Sequence, residues 1–301
     1  MTGMSLDKLS AELIAVLVAV TNGVPRVLTV GDGGALPSGP LESGQRSLQA
    51  GLRAWVERQS RHPLGYVEQL YTFADQGRGG GGRTISVSYL ALSREAAIPP
   101  GIAASWRDWY HYFPWEDRRA ENRIVESAIA PGLTRWAAGS AGRQRRAAIG
   151  FGLEGEPWNE ELALARYELL YEAGLVREAA RDGRSAPGEF APGALMVLDH
   201  RRILATAISR LRAKIKYRPV VFELMPETFT LLDLQRAVEA LAGRVLHKQN
   251  FRRLMEAQEL VEETGQITSV AGGRPAKLFR FRSQVLAERA HGGTRLPLSR
   301  G

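Results

Sequence analysis

The hydrophobic and polar positions of the first hundred residues follow two different periods. Residues 11–30 (AELIAVLVAVTNGVPRVLTV) hold two apolar runs rich in Val and Leu around Thr21-Asn22-Gly23, a sequence suited to a tight hairpin turn. Loops rich in Gly, Pro and Ser follow at 31–34 and 36–39, and the period then changes. Leu48, Leu52, Trp55 and Val56 recur at helical spacing within 45–59 and predict one apolar helix face. Strand-like runs at 67–73 and 84–92 flank a glycine-rich loop at 77–82. The predicted order is β-β-loop-α-β-loop-β.

From Ser105 the text turns helical. An aromatic-dense string, 105–119 (SWRDWYHYFPWEDRR), precedes helical patterns at 121–150 and 159–177, and a Pro/Gly-rich break lies at 182–193. Its aromatics suit a small core or a dimer interface; a base-stacking platform is the other reading. A helix over 200–217 carries the apolar stripe Ile203, Leu204, Ala207, Ile208, Leu211 and Ile215, with Asp199 as its expected N-cap. The opposite face holds Arg201, Arg202, Arg210, Arg212, Lys214 and Lys216, which suits either phosphate contact or a linker or dimerisation helix. Thr230 and Asp233 form a capping-box-like start for a helix over 231–242 that stops at Gly243, and a second helix spans 247–258. Short strand-like pieces at 260–261, 266–270 and 277–282 surround Gly272-Gly273-Arg274-Pro275. Helix, turn, helix and a basic-tipped hairpin make a winged helix-turn-helix pattern.

Charge sharpens this picture. Lys+Arg 40 against Asp+Glu 32 gives a formal net charge of +8. Residues 244–253 (RVLHKQNFRR) include four Lys/Arg and no acid. With Phe251 and Leu254 facing the core, Lys248, Gln249, Arg252 and Arg253 project outward and Asn250 sits near the boundary. Gln and Asn match adenine and Arg matches guanine in the major groove, so this face is suited to reading double-stranded DNA. The hairpin 273–282 (GRPAKLFRFR) also has four basic residues and no acid, which places Arg274 and Lys277 where a wing touches the backbone. The absence of Cys excludes disulfides, thiolate metal sites and Cys nucleophiles. The longest apolar run, 13–20, is too short for a membrane span and lacks a basic leader, so a cytoplasmic protein without membrane attachment is expected. His111 and His200 have no second His at ligand spacing and are assigned to packing or capping.

The N-terminal order, with LPSGPLESG leading into the helix, resembles the Nudix fold. Laid on this chain, the box places its glycine on Gly39, its first Glu on Gln45, its Arg on Arg53 and the next Glu on Ala54. Trp55 takes the apolar place, Glu57 keeps one paired Glu, Arg58 replaces the other, and Ser60 stands for the closing Gly. The resemblance therefore implies a Nudix-like domain that is not an enzyme, because a hard divalent cation needs clustered carboxylates. Arg53 and Glu57 then suit an ion pair on the helix. A ligand of the same class could still meet Arg26, Arg78 and Arg83 near strand ends and stack on Tyr71, Phe73 or Tyr89. For each of these residues, packing or a solvated charge is the competing assignment.

The degenerate Nudix-like half followed by HRRILATAISRLRAKIKYRPVVFELMPETFTLLDLQRAVEALAG and LHKQNFRRLMEAQELVEETG…GGRPAKLFRF resembles the Nudix-related transcriptional regulators of NAD metabolism, the NrtR type. WRDWYHYFPWEDRR and the helices after it resemble the alphaproteobacterial NadQ-type repressor of NAD biosynthesis. The resemblance implies an α+β protein: an N-terminal Nudix-like α/β/α sandwich with a helical insertion, then a C-terminal winged helix-turn-helix. The expected boundaries are 1–198 for the effector-sensing domain (105–195 its helical extension), 199–225 for a linker or dimerisation helix, and 226–290 for the winged helix. The implied function is a homodimeric repressor on a palindromic operator of NAD-biosynthesis genes. It has no cofactor, and its effector is NAD, ATP or ADP-ribose. The implied ligand set is Arg26, Arg53, Glu57, Tyr71, Arg78, Arg83 and Tyr89. The DNA set is Lys248, Gln249, Asn250, Arg252, Arg253, Arg274 and Lys277. The alternatives are a Nudix hydrolase with displaced ligands (Glu42, Glu57, Glu68) and a nucleotide-binding adaptor.

Overall fold

The computed structural model describes residues 10–74, 84–184, 188–268 and 275–282. Strands β1 (Ser10–Thr21) and β2 (Val24–Val30) form the expected hairpin. Asn22 and Gly23 both adopt positive φ (52° and 71°), the two-residue turn whose twist matches the flanking strands. Strand β3 (Ser38–Pro40) pairs with β1, helix α1 (Leu48–Ser60) follows, and β4 (Tyr66–Phe73) and β5 (Thr84–Leu92) add antiparallel to each other. Strand β6 (Ala104–Asp108) closes the order β4-β5-β1-β2-β6, in which β1 and β5 run parallel. The segment after 104 therefore begins as a sheet strand rather than as a helical extension.

Strand β1 is a continuous apolar run because both of its faces are covered. Leu13, Ala15 and Leu17 meet Leu52 and Val56 of α1. Ile14, Val16 and Val18 face a larger core that contains Trp109, Tyr110, Tyr112, Phe113 and Trp115, five of the six aromatics of the 105–118 string, while Trp106 packs half-buried on the core under α1. That string folds as two 3₁₀ turns, 109–111 and 114–116, and its base-stacking reading is excluded by burial. The same core takes in helices α2 (Ala130–Ala137), α3 (Ala141–Phe151), α4 (Ala163–Glu172) and α5 (Arg177–Arg181).

Helix α6 (His200–Lys214) does not offer the whole of its basic face to phosphate. Its apolar stripe is buried as predicted, but Arg201, Arg212 and Lys214 of its basic face are buried as well. Glu116 accepts from Arg166 Nε at 2.6 Å and Nη2 at 2.8 Å, and its second oxygen also accepts from Arg212. All three side chains are 0% exposed. Burial alone raises the pKa of Glu116, yet the two guanidinia hold it below its ordinary value. Arg201 pairs with Glu178 at 3.2 Å and donates to the Tyr112 carbonyl. A periodicity analysis assigns cations to solvent by default; here helices stacked on both flanks supply carboxylates and carbonyls instead. Asp199 occupies the N-cap position without a side-chain capping hydrogen bond, and His200 Nδ1 accepts from the Leu36 N–H at 2.9 Å.

Beyond a 3₁₀ turn at 220–224 come α7 (Leu231–Ala242), α8 (Lys248–Gln258), β7 (Val261–Thr268) and β8 (Ala276–Phe281). The Thr230–Asp233 capping box forms in both directions. Of the expected pieces at 260–261 and 266–270, residues 261 and 266–268 lie on one strand, β7, with a register irregularity between Glu263 and Ile267; residues 269–270 lie outside the described residues. Gly243 ends α7 at φ 71°, and a Cβ there would lie 2.3 Å from the Glu116 carbonyl oxygen, so both conformation and space require glycine. Around it the last carbonyls of α7 are taken by the body of the protein. Tyr110 Oη donates to Ala240 (2.7 Å), Arg212 Nε to Leu241 (2.8 Å) and the Arg118 N–H to Gly243 (2.7 Å). These bonds satisfy the orphan acceptors of a helix C-terminus. Among the described residues no helix is long and apolar enough to cross a membrane.

Replacing Glu116 with Gln leaves two buried guanidinia without their counter-charge. Chemical denaturation should register a loss of about 3–5 kcal/mol. Removing the exposed Arg146–Glu172 pair by Arg146→Ala should cost under about 1 kcal/mol. Equal effects of the two changes would contradict this account of the core.

Candidate nucleotide and nucleic-acid interfaces

The loop that leads into α1 is held by side chains of that helix. Ser47 caps it, accepting from the Ala50 N–H at 3.1 Å. Gln59 bonds both backbone groups of Ser38, at 3.1 and 2.9 Å, and Trp55 Nε1 donates to the Pro40 carbonyl at 2.9 Å. The Trp55 ring lies flat against Gly39, where a Cβ would come within 2.1 Å of it. Arg58 stacks over that ring at 4.0 Å and reaches Glu42 at 3.6 Å. Gln45 also binds Glu42, through its amide nitrogen at 3.2 Å. The surface beside the loop is thus an interlocked Trp, Arg, Gln and Glu.

The expected ion pair between Arg53 and Glu57 does not form. Arg53 donates instead to the carbonyls of Leu64 and Gly65, which fixes the turn before β4, and Glu57 lies exposed on α1. A helix residue four positions from an acid is a default partner only when no closer acceptor exists; the turn after α1 brings two carbonyls nearer. Arg26 stands on β2, cross-strand from Asp108 and 4.0 Å from Glu95. Burial pushes the Asp108 carboxyl up despite its bond from the Tyr110 N–H and the nearby Arg26. Tyr89 is buried in the core under α1, and burial raises its hydroxyl pKa. Tyr71 is 58% exposed and packs on Phe73, which belongs to the other core. Arg78 and Arg83 lie outside the described residues. The described members of the ligand set are therefore spread over both sheet faces and the strand ends.

Glu42, Glu57 and Glu68 are equally dispersed, since Glu68 is engaged by Lys214 of α6. Among the described residues no group of three His, Asp or Glu is placed to hold a metal ion.

On the winged helix, Phe251 and Met255 of α8 face the core. Leu254, expected inside, is 51% exposed, because the buried stripe runs i, i+4 from Phe251 to Met255. Lys248, Gln249, Asn250, Arg252 and Arg253 are all exposed, and within this group Arg253 donates to Asn250 at 2.7 Å. Lys248, Gln249 and Arg252 make no side-chain hydrogen bond or ion pair among the described residues. The wing differs from its expected basic character. Register places Glu263 against Lys277 (2.8 Å) and Glu262 against Arg280 (2.5 Å), while Glu259 approaches Arg282 at 3.8 Å. The described part of the wing is therefore charge-paired, and positive charge concentrates on α8. Arg274 lies outside the described residues. The signal for the missed pairing was present in Glu259, Glu262 and Glu263, but only the hairpin register aligns them with the basic strand.

The sequence model of the NrtR DNA-binding winged helix domain matches residues 221–281. A curated relative, the ADPR responsive transcriptional repressor NtrR of Acinetobacter baylyi, is 43% identical over 89 residues. That alignment covers 30% of this chain and 35% of the relative, so it spans only about a third of that protein's length. The crystal structure of Shewanella oneidensis NrtR complexed with a 27mer DNA aligns over 92% of this chain and 95% of its own, with TM-score 0.56 and 20% identity. A MutT/nudix family protein from Enterococcus faecalis aligns over 94% and 90%, with TM-score 0.55 and 15% identity. The chain thus shares the fold of NrtR, a Nudix-like domain followed by a winged helix, and its residues 221–281 match the NrtR DNA-binding winged helix domain.

Proposed function

We propose that this protein is a nucleotide-responsive transcriptional repressor. It grips duplex DNA through α8 and senses an adenine nucleotide in its Nudix-like half. The observation that carries the reading is the exposed, acid-free start of α8, residues 248–253, presented by a domain of the NrtR winged helix type. Recognition helices place their N-terminal residues against base edges, and Gln249, Asn250, Arg252 and Arg253 are the side-chain types that pair bidentately there. The body, about 10–198, acts as the sensor, with 199–225 connecting to a reader over 226–290. The formal net charge of +8 favours a polyanionic partner.

ADP-ribose is the effector we favour, because the Acinetobacter relative is named for its response to it; NAD and ATP are the competing ligands. Homodimerisation on a palindromic operator and control of NAD-biosynthesis genes complete the proposal. The box residues do not fit a divalent cation. Gln45 and Ala54 are neutral, Arg58 brings a positive charge stacked on Trp55, and Glu57 alone cannot enclose a hard ion. The Nudix-like half therefore works as a binding domain, not as a hydrolase.

Selection of random duplex DNA by the full-length protein, with and without ADP-ribose, NAD or ATP, tests the proposal. An enriched palindrome whose occupancy one nucleotide alters is expected. Absence of enrichment in every condition would overturn it. The nucleotide response should persist in EDTA, and magnesium-dependent turnover of ADP-ribose would contradict the binding-only assignment. Arg252→Ala should weaken operator binding by about 1–3 kcal/mol and relax the preference at one position. Glu263→Gln releases Lys277 from its ion pair, so binding should tighten and the salt slope steepen by about one.

A further inference from the structure

A cavity of about 440 Å³ lies between the end of α6, helix α7 and helix α8. It opens to solvent on the side of Tyr217, Arg218 and Leu254, which are exposed, and so forms a deep groove rather than a sealed void. Its walls are mostly apolar, with Ile215 and Phe222 on one side, Leu234 and Val238 of α7 on another, and Phe251 and Met255 of α8 on the third. Cavities with such walls give water few partners and accept an apolar guest.

The rim is cationic. Lys216, Arg218 and Arg244 line it beside one carboxylate, Glu160. Lys216 meets Glu160 at 2.9 Å and Arg244 meets the same oxygen at 3.7 Å. Burial raises the Glu160 pKa, but the Lys216 ammonium and the Arg244 guanidinium hold the carboxyl below its ordinary value, so it is ionised at neutral pH. Arg218 has no ion pair among the described residues. Lys216 also meets Glu161 at 2.6 Å, so two carboxylates face Lys216 and Arg244, and Arg218 supplies the positive excess at the mouth of the apolar chamber.

We propose that this cavity binds a small amphipathic anion: an aromatic or branched apolar body of one or two rings that carries a single carboxylate or sulfonate. The apolar body fills the chamber between α7 and α8 while the anionic group rests among Lys216, Arg218 and Arg244. The size is within the range of small-molecule sites, roughly 300–1,000 Å³. The site is separate from the α1 surface, where a nucleotide would bind under the function proposed above. Its position gives it leverage. Arg212 lines the chamber and also donates to the Leu241 carbonyl at the end of α7, while Phe251 and Met255 belong to the reading helix. An occupant therefore touches the body and the reader at once. An occupant that prefers one placement of α8 over another shifts the balance between them.

The test uses the full-length protein and 8-anilinonaphthalene-1-sulfonate, an aromatic anion whose emission rises in apolar surroundings. Saturable one-to-one binding is expected. Val238→Phe fills the chamber and should weaken binding about tenfold or more. Arg218→Glu, on the exposed rim and independent of packing, should weaken it severalfold, more at low salt than at high. Cooperative thermal unfolding of both variants verifies their folds; should Val238→Phe fail to fold, Arg218→Glu and Arg244→Glu decide. ADP-ribose should not displace the probe. Absence of saturable binding, binding unchanged in folded variants, or competitive displacement by ADP-ribose would each overturn the proposal. The consequence for DNA rests on the repressor reading, under which the saturated protein should change operator affinity about threefold or more. Probe binding that responds to the variants in a protein that selects no DNA keeps the site and removes the repressor reading.

Discussion

A carboxylate closed off from water between two guanidinia is the constraint on which this architecture depends. Glu116 belongs to the aromatic string, Arg166 to α4 and Arg212 to α6, and all three side chains are fully buried. Taking such charges out of water is expensive unless geometry and additional hydrogen bonds are both good. Here the remaining donors are placed. Arg166 also bonds the carbonyls of Gly150 and Asn159, and Arg212 those of Glu160 and Leu241. The last bond ties the network to α7. Gly243, which cannot carry a Cβ without meeting the Glu116 carbonyl, sets how closely the winged helix approaches. The reader is consequently docked through polar bonds to one helix end, a geometry that fixes direction more than apolar contact alone.

The two functional surfaces are governed by different physics. Around α1, Trp55, Arg58, Gln45 and Glu42 form an interlocked set whose bonds run to one another and to the β3 loop. Such a surface is pre-formed. On α8 the opposite holds. Lys248, Gln249 and Arg252 are exposed without partners among the described residues, so their donors are available, while the wing beside them neutralises its own cations across the hairpin. Unpaired positive charge is thereby concentrated on α8.

Much of this was legible in the sequence because it depends on neighbours in the chain. The Asn22-Gly23 turn, the Thr230–Asp233 capping box, the stop at Gly243 and the apolar faces of α1 and α6 each follow from residues within a turn or two of one another. The exposed set of α8 was legible for the same reason, apart from Leu254, whose place inside is taken by Met255. The errors share a cause. Helical spacing offers Arg201 and Arg212 to phosphate or to a partner because it shows only their own helix, and it pairs Arg53 with Glu57 because the carbonyl acceptors of Arg53 lie beyond the helix end.

By itself the sequence determined the alternation of elements, the winged helix order and the chemical character of the reading helix, since local propensity and spacing suffice for those. Only the tertiary structure decided which charges face water. The partner of Lys277 lies 14 residues away across a hairpin, and that of Arg212 lies 96 residues away in another layer. The chamber under α8 is likewise a product of how three helical segments meet. Electrostatic energy depends on separation in space and on exclusion of solvent, and neither is encoded in the spacing of residues along one helix.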